Sequence, residues 1–298
     1  MDSSDAPIGR ATVLIIISAV SFGSISVLTV LTTAAGVPLL TAMAWRYVLG
    51  AILLGSAVAF PLTNTAIPAR KIIQLLLIGG LGQALITYLS LYSLKYIPVG
   101  PLAFLFYTYP AWVALIAAIR GTERLTPVRI TALVLALIGV TVMVGAPTEK
   151  LNPIGAGLAL CSALLYSVYL PSLEHVQEGV PAMVATFILI AGAAISFVLA
   201  AFIGRELFVP AGTAVWTNIV LLAVVSTVIA FFSLIKGLAV LGPVRTAIVA
   251  TVEPFFTALL GVAVLRNPLG AATLVGGVLI AAAILVIEWS SARVTVPA

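Results

Sequence analysis

The residues in this chain best suited to chemistry are few, and they sit where a charge is costly. Glu253 lies in the middle of one long apolar run and Arg46 lies inside another. On insertion scales a charged side chain at the centre of a bilayer costs roughly 2.5–3.5 kcal/mol, so such a group needs a partner, a wet cavity or a proton. Glu253 therefore has two readings. It is either a proton-coupling carboxyl or seat for a substrate amine, or a structural carboxyl bonded to a neighbouring helix, with Arg46 or Lys236 as the available cation.

Polar and aromatic residues recur at helical spacing in several of the same runs. Gln83, Thr87 and Ser90 follow i, i+4, i+7, and so do Ser162, Tyr166 and Tyr169; residues so spaced share a helix face. Thr246, Glu253 and Thr257 form a third stripe. Tyr107, Thr108, Tyr109 and Trp112 crowd one run, and Ser18, Ser21 and Phe22 another. Helix–helix contact explains any one of these. Together they suit a central pocket, mostly apolar with a few hydrogen-bonding groups. The candidate substrate-binding residues are Phe22, Gln83, Thr87, Tyr107, Trp112, Tyr166 and Tyr169. Pro110 and Pro254 each free a carbonyl inside a helix and are read as structural bends. Gly79-Gly80-Leu81-Gly82 reads as a close helix contact, and Trp216 and Trp289 as interfacial anchors.

Nothing in the sequence marks an enzyme. It has no Walker A motif and no Gly-x-Ser-x-Gly elbow. A single histidine, His175, and a single cysteine, Cys161, leave no multi-His or Cys-rich metal site and no intramolecular disulfide. Cys161, inside an apolar run, reads as a small buried residue. No catalytic residue, metal or cofactor is expected.

These side chains must be positioned by helices in lipid. Of the 298 residues 62% are hydrophobic and only 8% charged, with mean hydropathy +1.28. Soluble domains carry about 25% charged residues, so there is too little polar surface here to face water. The net charge of +5 comes from basic residues spread along the chain, which suits membrane orientation and gives no reason to expect nucleic acid. About 20 apolar residues cross the hydrocarbon core as a helix. Ten spans are expected, at 12–33, 38–60, 71–94, 98–119, 127–145, 153–173, 181–203, 213–237, 243–264 and 268–288. Turn residues separate them: Gly36-Val37-Pro38, the Pro61–Pro68 loop, Pro98 to Pro101, Gly242-Pro243 and Asn267-Pro268. The acidic start, Met1 to Asp5, is a poor signal peptide, so the first span is read as uncleaved. With the N-terminus inside, Arg10, Arg70, Lys71, Arg120, Arg124, Arg129, Lys236, Arg245 and Arg293 fall on one side; Lys95, Lys150, Arg205 and Arg266 fall on the other. Both termini are then cytoplasmic.

The chain also repeats. An offset of 144 residues aligns Pro110 with Pro254, Ala103 with Ala247, Ala114 with Ala258 and Leu125 with Leu269 without a gap. Five spans per half is an odd number, so the second half is inverted. Inverted repeats are typical of secondary transporters, with the site near the midplane between them.

Tyr92-Ser93-Leu94-Lys95-Tyr96, the Pro110 helix, Glu123-Arg124-Leu125-Thr126, Arg46-Tyr47 and Glu253-Pro254 together resemble the EamA repeat of the drug/metabolite transporter superfamily. Asn267-Pro268 departs from it, standing where the family often carries Gly-Glu. The resemblance covers nearly the whole chain. It implies an all-α polytopic membrane protein of ten transmembrane helices arranged as two inverted five-helix repeats, 11–146 and 152–288, working without ATP. Within that family the sequence resembles the YddG-like bacterial amino-acid exporters. That implies alternating access and export of amino acids, aromatic and hydrophobic ones included, by a monomer in the lipid bilayer of the bacterial inner membrane. A drug or another metabolite is the alternative. Nucleotide sugars rank lower, because only Arg46, Lys236 and Arg245 are near the spans to bind phosphate. An intramembrane enzyme would need clustered carboxylates or histidines.

Overall fold

A computed structural model describes residues 5–59, 67–123, 125–144, 151–266 and 270–294. Residues 60–66, Arg124, Lys150 and Asn267-Pro268 lie outside the described residues, as do the side chains of Trp289 and Arg293. The described residues form helices and short turns and no strand. In lipid, every backbone N–H and C=O must find a partner within the segment, and a helix supplies one.

The first half comprises α1 (Asp5–Ala34), α2 (Leu39–Ala59), α3 (Ala69–Leu77), α4 (Ala84–Ser93), α5 (Val99–Phe106), α6 (Tyr109–Arg120) and α7 (Pro127–Val144). The second comprises α8 (Pro153–Gln177), α9 (Ala182–Ile203), α10 (Thr213–Ala223), α11 (Ala230–Ala250), α12 (Glu253–Leu265) and α13 (Ala271–Val294). Sequence sets the boundaries locally. Asn152 caps α8, its side-chain oxygen accepting from the N–H groups of Ile154 and Gly155 at 2.9 and 3.4 Å, with Pro153 in the first turn where no donor is missed. Gly121 ends α6 in the left-handed region, which glycine enters without steric cost.

Nine stretches among the described residues are long and apolar enough to cross a membrane. One of them, Thr213–Ala250, is really two. Gly242, at φ 72° and ψ 170°, breaks it, and the chain after Gly242 turns back and runs on into α12. The protein thus crosses ten times, as two inverted five-span halves. Thr12 near the start of α1 donates to Glu288 near the end of α13 at 2.8 Å, so both termini share one face, here the terminal face.

The two halves match even in their irregularities. Span four breaks at Tyr107-Thr108, between α5 and α6, and span nine breaks at Thr251-Val252, between α11 and α12. Tyr109 and Glu253 open the second pieces, with Pro110 and Pro254 next. Span three carries a π-helical segment at Ile78–Gln83 and span eight carries one at Val224–Ile229. Such wide turns shift the carbonyl register locally and collect at functional sites.

The halves interlock. α2 packs on α9 and α7 on α13, each against its own counterpart, while α1 crosses onto α10–α12 and α8 crosses onto α3–α6. Small residues permit the crossings. A Cβ on Gly139 would lie 2.8 Å from the Gly276 carbonyl oxygen, and one on Gly79 or Gly192 would run into the backbone of Leu189 or Leu76. Close backbone approach is how membrane helices gain packing energy. The glycine cluster at 79–82 therefore is a packing surface, and it also carries the π segment. At the face away from the termini, Trp216 donates to the Pro210 carbonyl at 2.8 Å and lies edge-on to Trp45. Cys161 is exposed rather than buried. Apolar neighbours do not imply burial in a span, because the lipid side of a helix is apolar too.

Candidate functional site

The breaks in spans four and nine face each other across a cavity of about 410 Å³. α1 supplies Phe22, Ser26 and Val30. Gln83, at the end of the first π segment, and Thr87 and Ser90 of α4 form a second wall. Phe106, Tyr107 and Tyr109 come from the break in span four, and Tyr166 from α8. Glu253, Pro254, Thr257, Ala258 and Gly261 line the side made by α12. The cavity runs from the middle of the bundle toward the face opposite the termini, where Val30, Leu102, Val144 and Gly261 lie.

Its walls are aromatic. The Tyr109 and Tyr166 rings meet edge-to-face at 4.7 Å, and Phe106 lies 5.4 Å from Tyr109 and 5.7 Å from Tyr166. Phe22 is held by an edge contact with Phe231 at 5.0 Å.

Its polar groups are hydroxyls, the Gln83 amide and the Glu253 carboxyl. Glu253 opens α12 and is partly exposed to the cavity. The Tyr107 hydroxyl approaches its carboxyl as the neighbouring side-chain donor. Among the described residues no cation pairs with it. Arg46 is fully buried, donating to the Thr227 hydroxyl at 2.6 Å and the Ser226 carbonyl at 2.8 Å. The Lys236 ammonium sits over the Phe232 ring, and Arg245 pairs with Glu288 at 2.7 Å. A structural pairing of Glu253 with Arg46 or Lys236 is thus not formed. Gln83 donates to the Thr87 hydroxyl at 2.9 Å, and its own carbonyl oxygen is buried without a partner. The Thr257 hydroxyl is held between the Gly23 and Glu253 carbonyls, 3.1 Å from each.

Of the residues singled out in the sequence, Phe22, Gln83, Thr87, Tyr107, Tyr166, Glu253 and Pro254 line this cavity. Trp112 does not. It lies beyond the break in span four and is 37% exposed on the outer surface. Tyr169 is buried beneath the floor, stacked on Tyr166 at 5.6 Å, its hydroxyl without a partner. Pro110 is buried in the first turn of α6, and both prolines sit at a helix restart rather than in mid-helix. Phe106 and Ser26 were not singled out, though the repeat points toward the region. The 144-residue offset makes Phe22 the equivalent of Tyr166 and Tyr109 the equivalent of Glu253. All four face the cavity.

A second hollow of about 500 Å³ opens at the terminal face among Ala117, Arg120, Glu123, Pro171, Glu174, His175 and Gly242. It is the counterpart of the first under the same offset: Pro171 corresponds to Val27, Glu174 to Val30 and Ala117 to Gly261. Glu123 closes it. Its carboxylate accepts from Arg129 at 2.7 Å and from the Val244 N–H at 3.4 Å, tying the turn after α6 to the turn between spans eight and nine.

The model of the EamA-like transporter family matches the chain twice, at residues 9–145 and 153–289. One solved crystal structure is similar over 97% of this chain and 99% of its own, with a TM-score of 0.80 at 21% sequence identity, which is a likeness of fold. No curated protein matches.

Proposed function

The chain belongs to the EamA-like transporter family, whose members are small-molecule transporters of the drug/metabolite superfamily, and from that premise we propose that it is a secondary carrier working by alternating access. The observation that carries this reading is the pair of hollows. One reaches the middle from the face opposite the termini, and its repeat-equivalent opens at the terminal face. Exchanging the conformations of the two inverted halves would close the first and deepen the second.

The proposed substrates are amino acids, aromatic and hydrophobic ones included. A cavity of about 410 Å³ with five aromatic residues in its walls suits a molecule of that size and character. Phosphate-bearing substrates fit poorly, because no Lys or Arg lines it. Glu253 is the proposed site of proton coupling or of contact with the substrate amine. Basic residues concentrate toward the terminal face, which supports cytoplasmic termini, while residence in a bacterial inner membrane and export as the working direction rest on the resemblance to bacterial amino-acid exporters alone. One bundle contains the whole cavity, which supports function as a monomer.

Counterflow in proteoliposomes tests the reading. Liposomes preloaded with unlabelled amino acid should accumulate labelled amino acid faster than protein-free liposomes, with or without a proton gradient. Absence of flux for every amino acid in a full panel would sink it.

A further inference from the structure

We propose that this cavity recognises its substrate as a cation: a protonated organic amine carrying an apolar or aromatic body, with no requirement for a carboxylate. The inference rests on the carrier reading for its biological setting and on the chemistry of the cavity for its content.

Consider first what the cavity offers an ammonium group. Glu253 presents a carboxyl to the space, and no Lys or Arg neutralises it, since Arg46, Lys236 and Arg245 are each engaged elsewhere. The Gln83 carbonyl oxygen is buried, unpartnered and part of the same lining. An ammonium has three donors and no acceptor, so a carboxyl in the space, with a second, unpartnered acceptor buried in the wall, matches it. Aromatic faces add an attraction that a cation feels and an anion does not, and the Phe106, Tyr109 and Tyr166 cluster stands beside Glu253.

A carboxylate meets the opposite conditions. It needs donors, and the strong ones are taken. The helix restarts at α6 and α12 would supply free N–H groups, but Pro110 and Pro254 have none to give. The Ala111 N–H is bonded back to the Thr108 carbonyl, and those of Phe255 and Phe256 to the Val252 carbonyl. The Thr257 hydroxyl is spent on two backbone carbonyls. What remains is neutral hydroxyls, among them those of Ser26, Ser90, Tyr109 and Tyr166, and they stand in the field of Glu253. A zwitterionic amino acid would therefore gain at its amine and lose at its carboxylate. Its amide, its ester or its decarboxylated amine would gain without the loss.

The test is calorimetric binding to the purified protein in nanodiscs with one ring and four head groups: 2-phenylethylamine, phenylalaninamide, phenylalanine and 3-phenylpropionate. The two cations are expected to bind at least about tenfold more tightly than the zwitterion, a difference of about 1.4 kcal/mol, and the anion not measurably. Glu253→Gln should erase the preference while leaving a neutral analogue, 3-phenylpropionamide, unchanged. Gln83→Leu provides a second variant should the first misfold, and it should weaken both cations by several-fold. Equal or tighter binding of the zwitterion or anion overturns the proposal. So does a cation affinity untouched by Glu253→Gln in a monodisperse protein, and so does failure of both cations to bind. Liposome flux separates this from the carrier reading: a cation preference without counterflow of any of the four compounds leaves the site chemistry standing and removes transport.

Discussion

The Arg46 Nε donates to the Thr227 hydroxyl at 2.6 Å, inside the π segment of span eight. The same guanidinium donates from Nη2 to the Ser226 carbonyl at 2.8 Å. Thr227 in turn donates five residues back, to the Leu222 carbonyl, and the Ser226 hydroxyl meets that of Ser24 on α1 at 2.6 Å. Arg46 thus ties α2 to an irregular turn that α1 also contacts through Ser24. It serves the shape of the bundle, and Glu253 is left without a cation.

Replacing Arg46 should therefore cost stability and leave substrate preference alone. Arg46→Ala strands the Ser226 carbonyl, removes two charge-assisted bonds and opens a void, a loss of about 3 kcal/mol. Arg46→Lys should recover little of it, because a point ammonium does not reproduce the fork that spans Thr227 and Ser226. Denaturant unfolding in mixed micelles measures the loss. An Arg46 variant as stable as the parent, or one that alters the ranking of cation and zwitterion, would contradict this role.

The glycine crossings give a prediction with a built-in control. A Cβ on Gly139 would lie 2.8 Å from both the Gly276 oxygen and an Ile280 side-chain carbon, so α7 and α13 must part to admit it. Gly139→Ala should destabilise by about 1–3 kcal/mol. Gly157, on α8, has nothing within 4 Å of the same position. Gly157→Ala should be neutral or stabilising by up to about 1 kcal/mol, since alanine is the better helix former. The two variants compared by thermal unfolding should move in opposite directions.

Why some of this was legible in the sequence and some was not follows from what leaves a local mark. Hydropathy marks spans, and prolines mark irregularities, so Pro110 and Pro254 located the inverted repeat and the two positions, read as bends, where the structure has helix restarts. The stripe Gln83, Thr87, Ser90 was legible because it begins at the last residue of the π segment and runs on into regular α4. The π segments themselves were not, since a wide turn has no residue code and is fixed by what packs against it. Trp112 reads as part of a polar, aromatic run with Tyr107 and Tyr109, but the break at Tyr107-Thr108 changes which face follows, and the ring turns outward. Arg46 was visible as a buried charge. Its partner was not, because a carbonyl and a hydroxyl carry no charge signature.

Tyr166 and Phe22 occupy equivalent positions in the two halves, and both line the cavity. Their rings should set the preference for the body of the substrate. Tyr166→Ala removes the ring that contacts both Phe106 and Tyr109. Aromatic contacts contribute about 0.5–1.5 kcal/mol beyond buried area, so 2-phenylethylamine should lose roughly tenfold in affinity while ethylamine loses little. Calorimetry on the pair reads the difference, and an equal loss for both would indicate a collapsed cavity rather than a lost contact.

The repeat supplies its own reporter for motion. Ala114 and Ala258 are identical residues at equivalent positions, yet Ala258 lines the open cavity while Ala114 is 1% exposed. Cysteine is close in size to alanine, so each position can carry one, in a chain whose own Cys161 is replaced by serine. In the conformation described here, a membrane-impermeant thiol reagent should label position 258 from the face opposite the termini and leave position 114 protected. Turnover under counterflow should reverse this, slowing labelling at 258 and exposing 114 from the terminal face. Glu123→Ala, which releases the bonds to Arg129 and the Val244 N–H, should raise labelling at 114 several-fold without substrate. If position 114 stays protected under both conditions while flux continues, the two hollows do not alternate, and the passage must lie elsewhere in the bundle.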